Sequence, residues 1–142
     1  GTMDPADGME GKGGNPDQSS KVQAVVAFFG PTDFSQPNLP AVTQGLINDF
    51  VGFTPEDNAE LHKAASPITY VDKNDAPILI FQGTKDALVP TTQATRMVEK
   101  MSEVGLDGRA ELLLNAGHGW GGKELERTAE ASYAFFDQQL KK

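Results

Sequence analysis

Asp86 and His118 are the two residues of this sequence whose types and positions are suited to moving a proton between them. Asp86 lies shortly after the apolar run Pro77–Phe81, and His118 lies shortly after the run Arg109–Leu114. A carboxylate bonded to one imidazole nitrogen fixes the tautomer and stabilises the imidazolium, so the other nitrogen can take a proton from a nucleophile. The pair therefore predicts the acid and base of a catalytic triad.

Each residue also has a plainer interpretation. Taken alone, Asp86 is typical of an Asx-turn or a cap before a helix, and His118 is typical of a turn histidine. Their order along the chain, and their placement after separate strands, favour the functional interpretation of the two together. The neighbouring Gly83, Gly117 and Gly119 allow turns that hold both side chains outward.

The elements that must position this pair follow an alternating pattern. Three short apolar runs are typical of strands buried on both faces: Val22–Phe29, Pro77–Phe81 and Arg109–Leu114. Helical patterns lie between and after them, at 41–52, 55–65, 91–104 and 125–140. Parallel strands need crossovers long enough for a helix, so the pattern predicts an α/β fold with about three parallel strands and flanking helices. Functional groups in such sheets gather beyond the carboxyl ends of the strands, where the pair would meet.

Local signals predict several finer features. Thr54 is predicted to cap the helix at 55–65, with Pro55 at its first position. Gly105 is predicted to end the helix at 91–104 in a left-handed conformation. Val22–Phe29 is almost continuously apolar, so it is expected inside the sheet.

The first twenty residues differ from the rest. Residues 1–20 contain two prolines, four glycines between positions 8 and 14 and many polar residues, which predicts a flexible or loop-like lead-in. Residues 1–3 are typical of a scar left by a cloning tag, so the native start and any targeting segment are expected to lie outside this sequence. Residues 21–142 are predicted to form one structural unit.

The composition argues against several classes of function, among them nucleic-acid binding and catalysis by a thiol. The net charge of −8 opposes binding to nucleic acid, because that affinity comes mainly from Lys and Arg. No apolar run is long enough to predict a membrane span, and the absence of cysteine excludes disulfides and a thiol nucleophile while leaving the compartment undecided. With two histidines, of which His62 is predicted to be a solvated helix residue, neither a metal nor an organic cofactor is expected.

Longer strings of the sequence resemble a known superfamily. The resemblance is to the C-terminal half of α/β-hydrolases, in the acetyl esterase, feruloyl esterase and lipase-like branch, which is similar in turn to prolyl-oligopeptidase-type catalytic domains. The strings that carry it are GGNPDQSSKVQAVVAFFGPTDF, ASPITYV, APILIFQGTKDALVP and LLLNAGHGWGG. The resemblance places the triad acid in a G-x-x-D turn before a V-P pair, at Asp86, and the base in a G-H-G turn, at His118. Trp120 stands where the family often has phenylalanine.

The nucleophile of this superfamily has no match in the chain. Its serine lies in a G-x-S-x-G elbow that precedes the acid, and none of the six serines has those flanking glycines. Ser35 is the least implausible substitute, because it follows the end of a strand. The glycine-rich oxyanion motif of the superfamily's first half is also absent.

Three interpretations follow. In the first, the chain is the C-terminal portion of a carboxylic ester hydrolase acting on a small ester, with its serine in an absent half. In the second, it is a non-catalytic module that self-associates through the exposed edge of the strand at 22–29. In the third, the missing half was a separate chain or was removed by proteolysis.

Overall fold

A computed structural model describes residues 1–9, 11, 13–15 and 17–141, and it contains a three-stranded parallel sheet flanked by helices. The elements in chain order are β1 (Val25–Phe28), α1 (Ala41–Val51), α2 (Ala59–Ala65), β2 (Ile78–Gly83), α3 (Thr91–Val104), β3 (Gly108–Leu113) and α4 (Gly122–Leu140), with 3-10 turns at Pro5–Asp7 and Pro67–Tyr70. The strand order is β1-β2-β3. The predicted fold class is confirmed.

The central strand β2 joins the two halves of the core. All six of its residues are buried, and alternate side chains point to opposite faces of the sheet. Ile78 and Ile80 pack with α3 residues such as Met97, while Leu79 and Phe81 pack on the α4 side. Burial of each side chain of this size stabilises the fold by about 1.5–3 kcal/mol, so β2 makes a large contribution to the stability of the sheet.

The first strand lies at an edge of the sheet. This corrects the expectation that it lies inside, and it agrees with the exposed edge on which the second interpretation depends. Within the part of the chain that the structure describes, β1 pairs with β2 alone, and its residues are half-buried. Val25 N–H donates to the Pro77 carbonyl at 2.9 Å, and Phe29 N–H donates to the Phe81 carbonyl at 2.8 Å. Because backbone groups of a strand alternate in direction, the N–H groups of Val26 and Phe28 point away from β2. The apolar run at 22–29 predicted a position inside the sheet wrongly, because apolar side chains indicate that the faces of a strand are covered and do not indicate whether both of its edges are paired.

The helices match the predictions closely except at one start. Gly105 has φ 76° and ends α3 as predicted. Helix α2 begins at Ala59, capped by Asn58, whose Oδ1 accepts from Leu61 N–H at 3.1 Å; the cap predicted at Thr54 is wrong. The Thr54 hydroxyl instead donates to the Asp57 carboxylate at 2.8 Å and closes a turn before the helix. In the described part of the chain, no helix has the length and apolarity needed to cross a bilayer.

The N-terminal lead-in is described in part. Its described residues contain the 3-10 turn Pro5–Asp7, and an ion pair joins Asp4 to Lys21 at 2.6 Å. Positions 10, 12 and 16, which also belong to the predicted lead-in, lie outside the described residues. The boundary near residue 20 stays a prediction.

Candidate active site

The turn after β2 holds the carboxylate of Asp86 in a buried cradle. The Asp86 side chain is 0% exposed. Oδ1 accepts from the backbone N–H groups of Leu88 and Val89, both at 2.9 Å. Oδ2 accepts from Nε2 of Gln82 at 2.9 Å.

The ionisation of Asp86 is set by a competition. Burial alone would raise the pKa of this carboxyl, because it disfavours the charged form. Hydrogen bonds from Val89 N–H, His118, Leu88 N–H and the Gln82 amide favour the charged form and together lower the pKa below its ordinary value. Asp86 is therefore a carboxylate at neutral pH and can stabilise a cation beside it.

The turn after β3 brings His118 to that carboxylate. His118 Nδ1 lies 2.9 Å from Asp86 Oδ2. The side chain of His118 is 37% exposed, and within the described residues no hydrogen bond reaches its Nε2. Gly119 has φ 105°, a conformation that favours glycine, and an isolated bridge links it to Gly117. The structure thus brings together both residues that the sequence singled out, with one imidazole nitrogen held and the other open.

Gly83 lets the two turns approach. A Cβ at this position would lie 2.3 Å from the Gly117 carbonyl oxygen and 2.5 Å from that of Ala116. Thr84 N–H donates to the Leu113 carbonyl at 3.0 Å, and Lys85 N–H donates to the Ala116 carbonyl at 2.8 Å. The sequence indicated that this glycine shapes its own turn, but its stronger role is to make room for the turn that carries the histidine.

A known protein family matches much of this sequence. The sequence model of the family described as BD-FAE matches residues 2–101, more than half of the chain. The chain belongs to the BD-FAE family. The matched region includes β2 and Asp86 and ends before His118.

Other relatives of this BD-FAE chain are longer proteins. Esterase LipC of Mycobacterium tuberculosis (strain ATCC 25618 / H37Rv) is 31% identical over 119 residues, which is 81% of this chain and 30% of LipC. The probable carboxylic ester hydrolase LipM of the same strain is 30% identical over 94 residues, 64% of this chain and 22% of LipM. The chain therefore spans less than a third of the length of these curated relatives.

A solved structure agrees with the fold. A truncated form of a carbohydrate esterase from gut microbiota superposes with a TM-score of 0.80 and 28% identity, over 94% of this chain and 48% of that one. The resemblance to the C-terminal part of α/β-hydrolases of the esterase branch is confirmed by these findings together.

Gln82 is a supporting residue of the BD-FAE chain that the sequence analysis missed. It is fully buried at the end of β2, and its Nε2 donates both to Asp86 Oδ2 and to the Val89 carbonyl at 2.8 Å. Its Oε1 is buried and has no hydrogen-bond partner among the described residues. A polar residue ending an otherwise apolar strand was the available signal, because an amide is buried there only at a cost that its partners must offset.

The second histidine lies away from this pair. His62 is 0% exposed, so the prediction that it is solvated is wrong. Its Nδ1 lies 3.1 Å from the Asn58 carbonyl oxygen, and its Nε2 lies 3.3 Å from Oδ1 of Asn48 on α1. Packing of α2 against α1 buries the ring, and each of its nitrogens has an oxygen atom within hydrogen-bond distance.

Ser35, the least implausible substitute for the nucleophile, is hydrogen-bonded within its own turn. The Ser35 hydroxyl donates to Asp33 Oδ1 at 2.6 Å, and Asp33 in turn is buried in an ion pair with Arg96. The structure thus gives Ser35 a role in the turn after β1. Over residues 1–9, 11, 13–15 and 17–141, no three His, Cys, Asp or Glu side chains are grouped so as to hold a metal ion.

Proposed function

We propose that this chain supplies the acid and base of a carboxylic ester hydrolase, with Asp86 as the acid, His118 as the base, and a nucleophilic serine from outside the 142 residues. In this proposal residues 21–142 are the C-terminal half of the hydrolase domain. The observation that carries it is the 2.9 Å contact between Asp86 Oδ2 and His118 Nδ1, with His118 Nε2 left open. The names of LipC and LipM support the reaction class.

The geometry suits each proton transfer of ester hydrolysis. His118 Nε2 takes the proton of the serine hydroxyl as the serine oxygen attacks the ester carbonyl, and Asp86 stabilises the imidazolium that forms. His118 then gives the proton to the leaving alcohol, which leaves an acyl group on the serine. Water, deprotonated by the same nitrogen, attacks the carbonyl of that acyl-enzyme, and His118 returns the proton to the serine oxygen as its bond to the acyl group breaks and the carboxylic acid leaves. A small ester is the proposed substrate.

The chain alone is expected to be inert, because the nucleophile is lacking. We expect p-nitrophenyl acetate to be hydrolysed at the same background rate by the wild-type chain and by its His118→Ala variant. The chain is then mixed with the part of the carbohydrate esterase that it does not match, expressed as a separate polypeptide. Hydrolysis is expected to appear in the mixture and to disappear with His118→Ala.

Two results would count against the proposal. Turnover by the chain alone, abolished by His118→Ala, would place a nucleophile within these residues. Turnover in the mixture that is unchanged by His118→Ala would show that His118 is not the base. The separately expressed part of the carbohydrate esterase, measured without this chain, gives the background rate for both comparisons.

A second candidate function is self-association of the half-fold. The outer edge of β1 leaves the N–H groups of Val26 and Phe28 unpaired by any strand of the described sheet. Beside this edge lies an open groove of about 340 Å³, whose apolar lining includes Val25, Ala27 and Met97. An edge of this kind is a template for pairing with another chain. We propose that it takes a strand of the hydrolase half outside this chain and, when that half is absent, a second copy of the chain.

Light scattering at micromolar concentration tests this pairing. We expect a dimer or a larger species for the wild-type chain. Val26→Pro removes an N–H group from the outer edge of β1, where no bond to β2 is lost, and is expected to shift the population toward monomer. Val42→Lys on the exposed side of α1 is expected to leave the population unchanged. A monodisperse wild-type monomer would contradict self-association.

A further inference from the structure

Phe29 adopts a backbone conformation that its residue type disfavours. It directly follows β1 and has φ 42°, in the left-handed region where a side chain crowds the backbone. Its N–H is held by the Phe81 carbonyl at 2.8 Å. Just beyond it, the N–H groups of Thr32 and Asp33 both donate to Oε1 of Gln93 on α3 at 2.7 Å. The strain is thus maintained by anchors on both sides of the turn.

This conformation places the Phe29 ring against the histidine of the site. The centroids of the Phe29 and His118 rings are 4.6 Å apart, with the planes tilted by 57°. The same ring meets Trp120 edge to face, with centroids 5.3 Å apart. Trp120 is held in turn, because its Nε1 donates to the Thr128 hydroxyl of α4 at 3.0 Å. A continuous row of contacts therefore runs from α4 through Trp120 and Phe29 to His118.

A second contact is needed to hold the orientation of the His118 side chain. Its side chain is 37% exposed and is held by a hydrogen bond at one nitrogen. One hydrogen bond leaves the imidazole free to rotate about the bond axis, whereas an aromatic ring in close, tilted contact with it limits that rotation. A strained non-glycine residue beside a reactive group is the pattern in which strain is retained for preorganisation.

We propose that Phe29 is a positioning residue, whose ring holds the imidazole of His118 so that Nδ1 stays on Asp86 and Nε2 faces the attacking nucleophile. The use of this orientation in ester hydrolysis rests on the function proposed above. The orientation itself does not, and it can be measured in this chain without any substrate.

Nuclear magnetic resonance of the 142-residue chain gives that measurement. The readouts are the solvent exchange rate of the His118 Nδ1 proton and the side-chain couplings that report rotamer averaging. Phe29→Leu is expected to speed the exchange by about tenfold or more and to average the couplings. Phe29→Tyr, which keeps the ring, is expected to retain wild-type values.

Phe29→Gly separates the ring from the backbone. If position 29 served the turn alone, glycine would equal or improve on phenylalanine, since φ 42° suits it. Positioning by the ring predicts instead that Phe29→Gly loosens His118 as Phe29→Leu does, although the backbone strain is relieved. Phe34→Leu is the matched control. Phe34 lies in the same connection between β1 and β2, but its ring contacts that of Phe50, with the two centroids 6.1 Å apart.

The outcomes separate this inference from the proposed function. Wild-type exchange rates and couplings in both Phe29→Leu and Phe29→Gly would overturn the positioning role. In the complemented mixture, Phe29→Leu is expected to lower kcat with KM unchanged. If the exchange changes as expected and the mixture shows no hydrolysis that depends on His118, the proposed function fails and the positioning role stands. If hydrolysis in the mixture depends on His118, but Phe29→Leu changes neither kcat nor the exchange rate, the proposed function stands and the positioning role fails.

Discussion

Asp86→Asn is expected to lower kcat of the complemented hydrolase by about 10⁴-fold, the loss typical of this change in a catalytic triad. The asparagine oxygen can replace Oδ1 and still accept from Leu88 and Val89 N–H. Its amide nitrogen then replaces Oδ2, which accepts from Gln82 and faces His118 Nδ1. A donor would meet donors, so His118 must leave or change tautomer, and in the other tautomer its Nε2 carries a proton and cannot take one.

Steady-state kinetics on p-nitrophenyl acetate measure this loss, with Asp33→Asn as the matched control. Asp33 is also a buried carboxylate in a turn after a strand, but it pairs with Arg96 and has no hydrogen bond to His118 among the described contacts. Asp33→Asn is expected to change the free energy of unfolding and leave kcat within a few-fold of wild type. Equal losses of kcat in both variants would indicate a general effect on folding, and a loss under tenfold in Asp86→Asn would contradict its role.

The sequence could predict that Asp86 and His118 lie near each other, because the topology of the sheet brings their turns together. Parallel strands place their carboxyl ends at one edge of the sheet, so the turns that follow neighbouring strands lie side by side. The 2.9 Å distance between the two side chains depends in addition on the close packing of those turns at Gly83. Local signals predicted two further features. A short apolar run predicted β2 as a buried strand, and a glycine after the helical pattern predicted the end of α3 at Gly105. These are features for which local sequence and global fold agree.

Other features of the site depend on contacts between distant segments. The Phe29 ring reaches His118 across 89 positions of the sequence, and nothing near Phe29 in the chain predicts its positive φ. His62 was predicted to be solvated because a histidine in a short polar helix usually is, and the packing of α1 reversed that. Edge position in β1 likewise depends on which strands are present and not on the strand's own residues.

The glycine at the end of β2 tests how closely the two site turns must approach. Gly83→Ala would place a methyl group 2.3 Å from the Gly117 carbonyl oxygen, and backbone on both sides must move to relieve the contact. Neither side moves easily, because Gly83 ends the buried central strand and Lys85 N–H is bonded to the Ala116 carbonyl. We expect the free energy of unfolding in urea to fall by about 1–3 kcal/mol, the usual cost of overpacking.

Gly117→Ala is the matched control, since the nearest atom to its added Cβ is the Lys85 carbonyl oxygen at 4.0 Å. Its unfolding free energy is expected to stay within about 0.5 kcal/mol of wild type. Equal unfolding free energies for the two variants would contradict the close approach at Gly83. In folded Gly83→Ala protein the His118 Nδ1 proton is further expected to exchange faster than in the wild-type chain, because the turns must separate to admit the methyl group. That coupling would make Gly83 the residue through which the sheet sets the distance between acid and base.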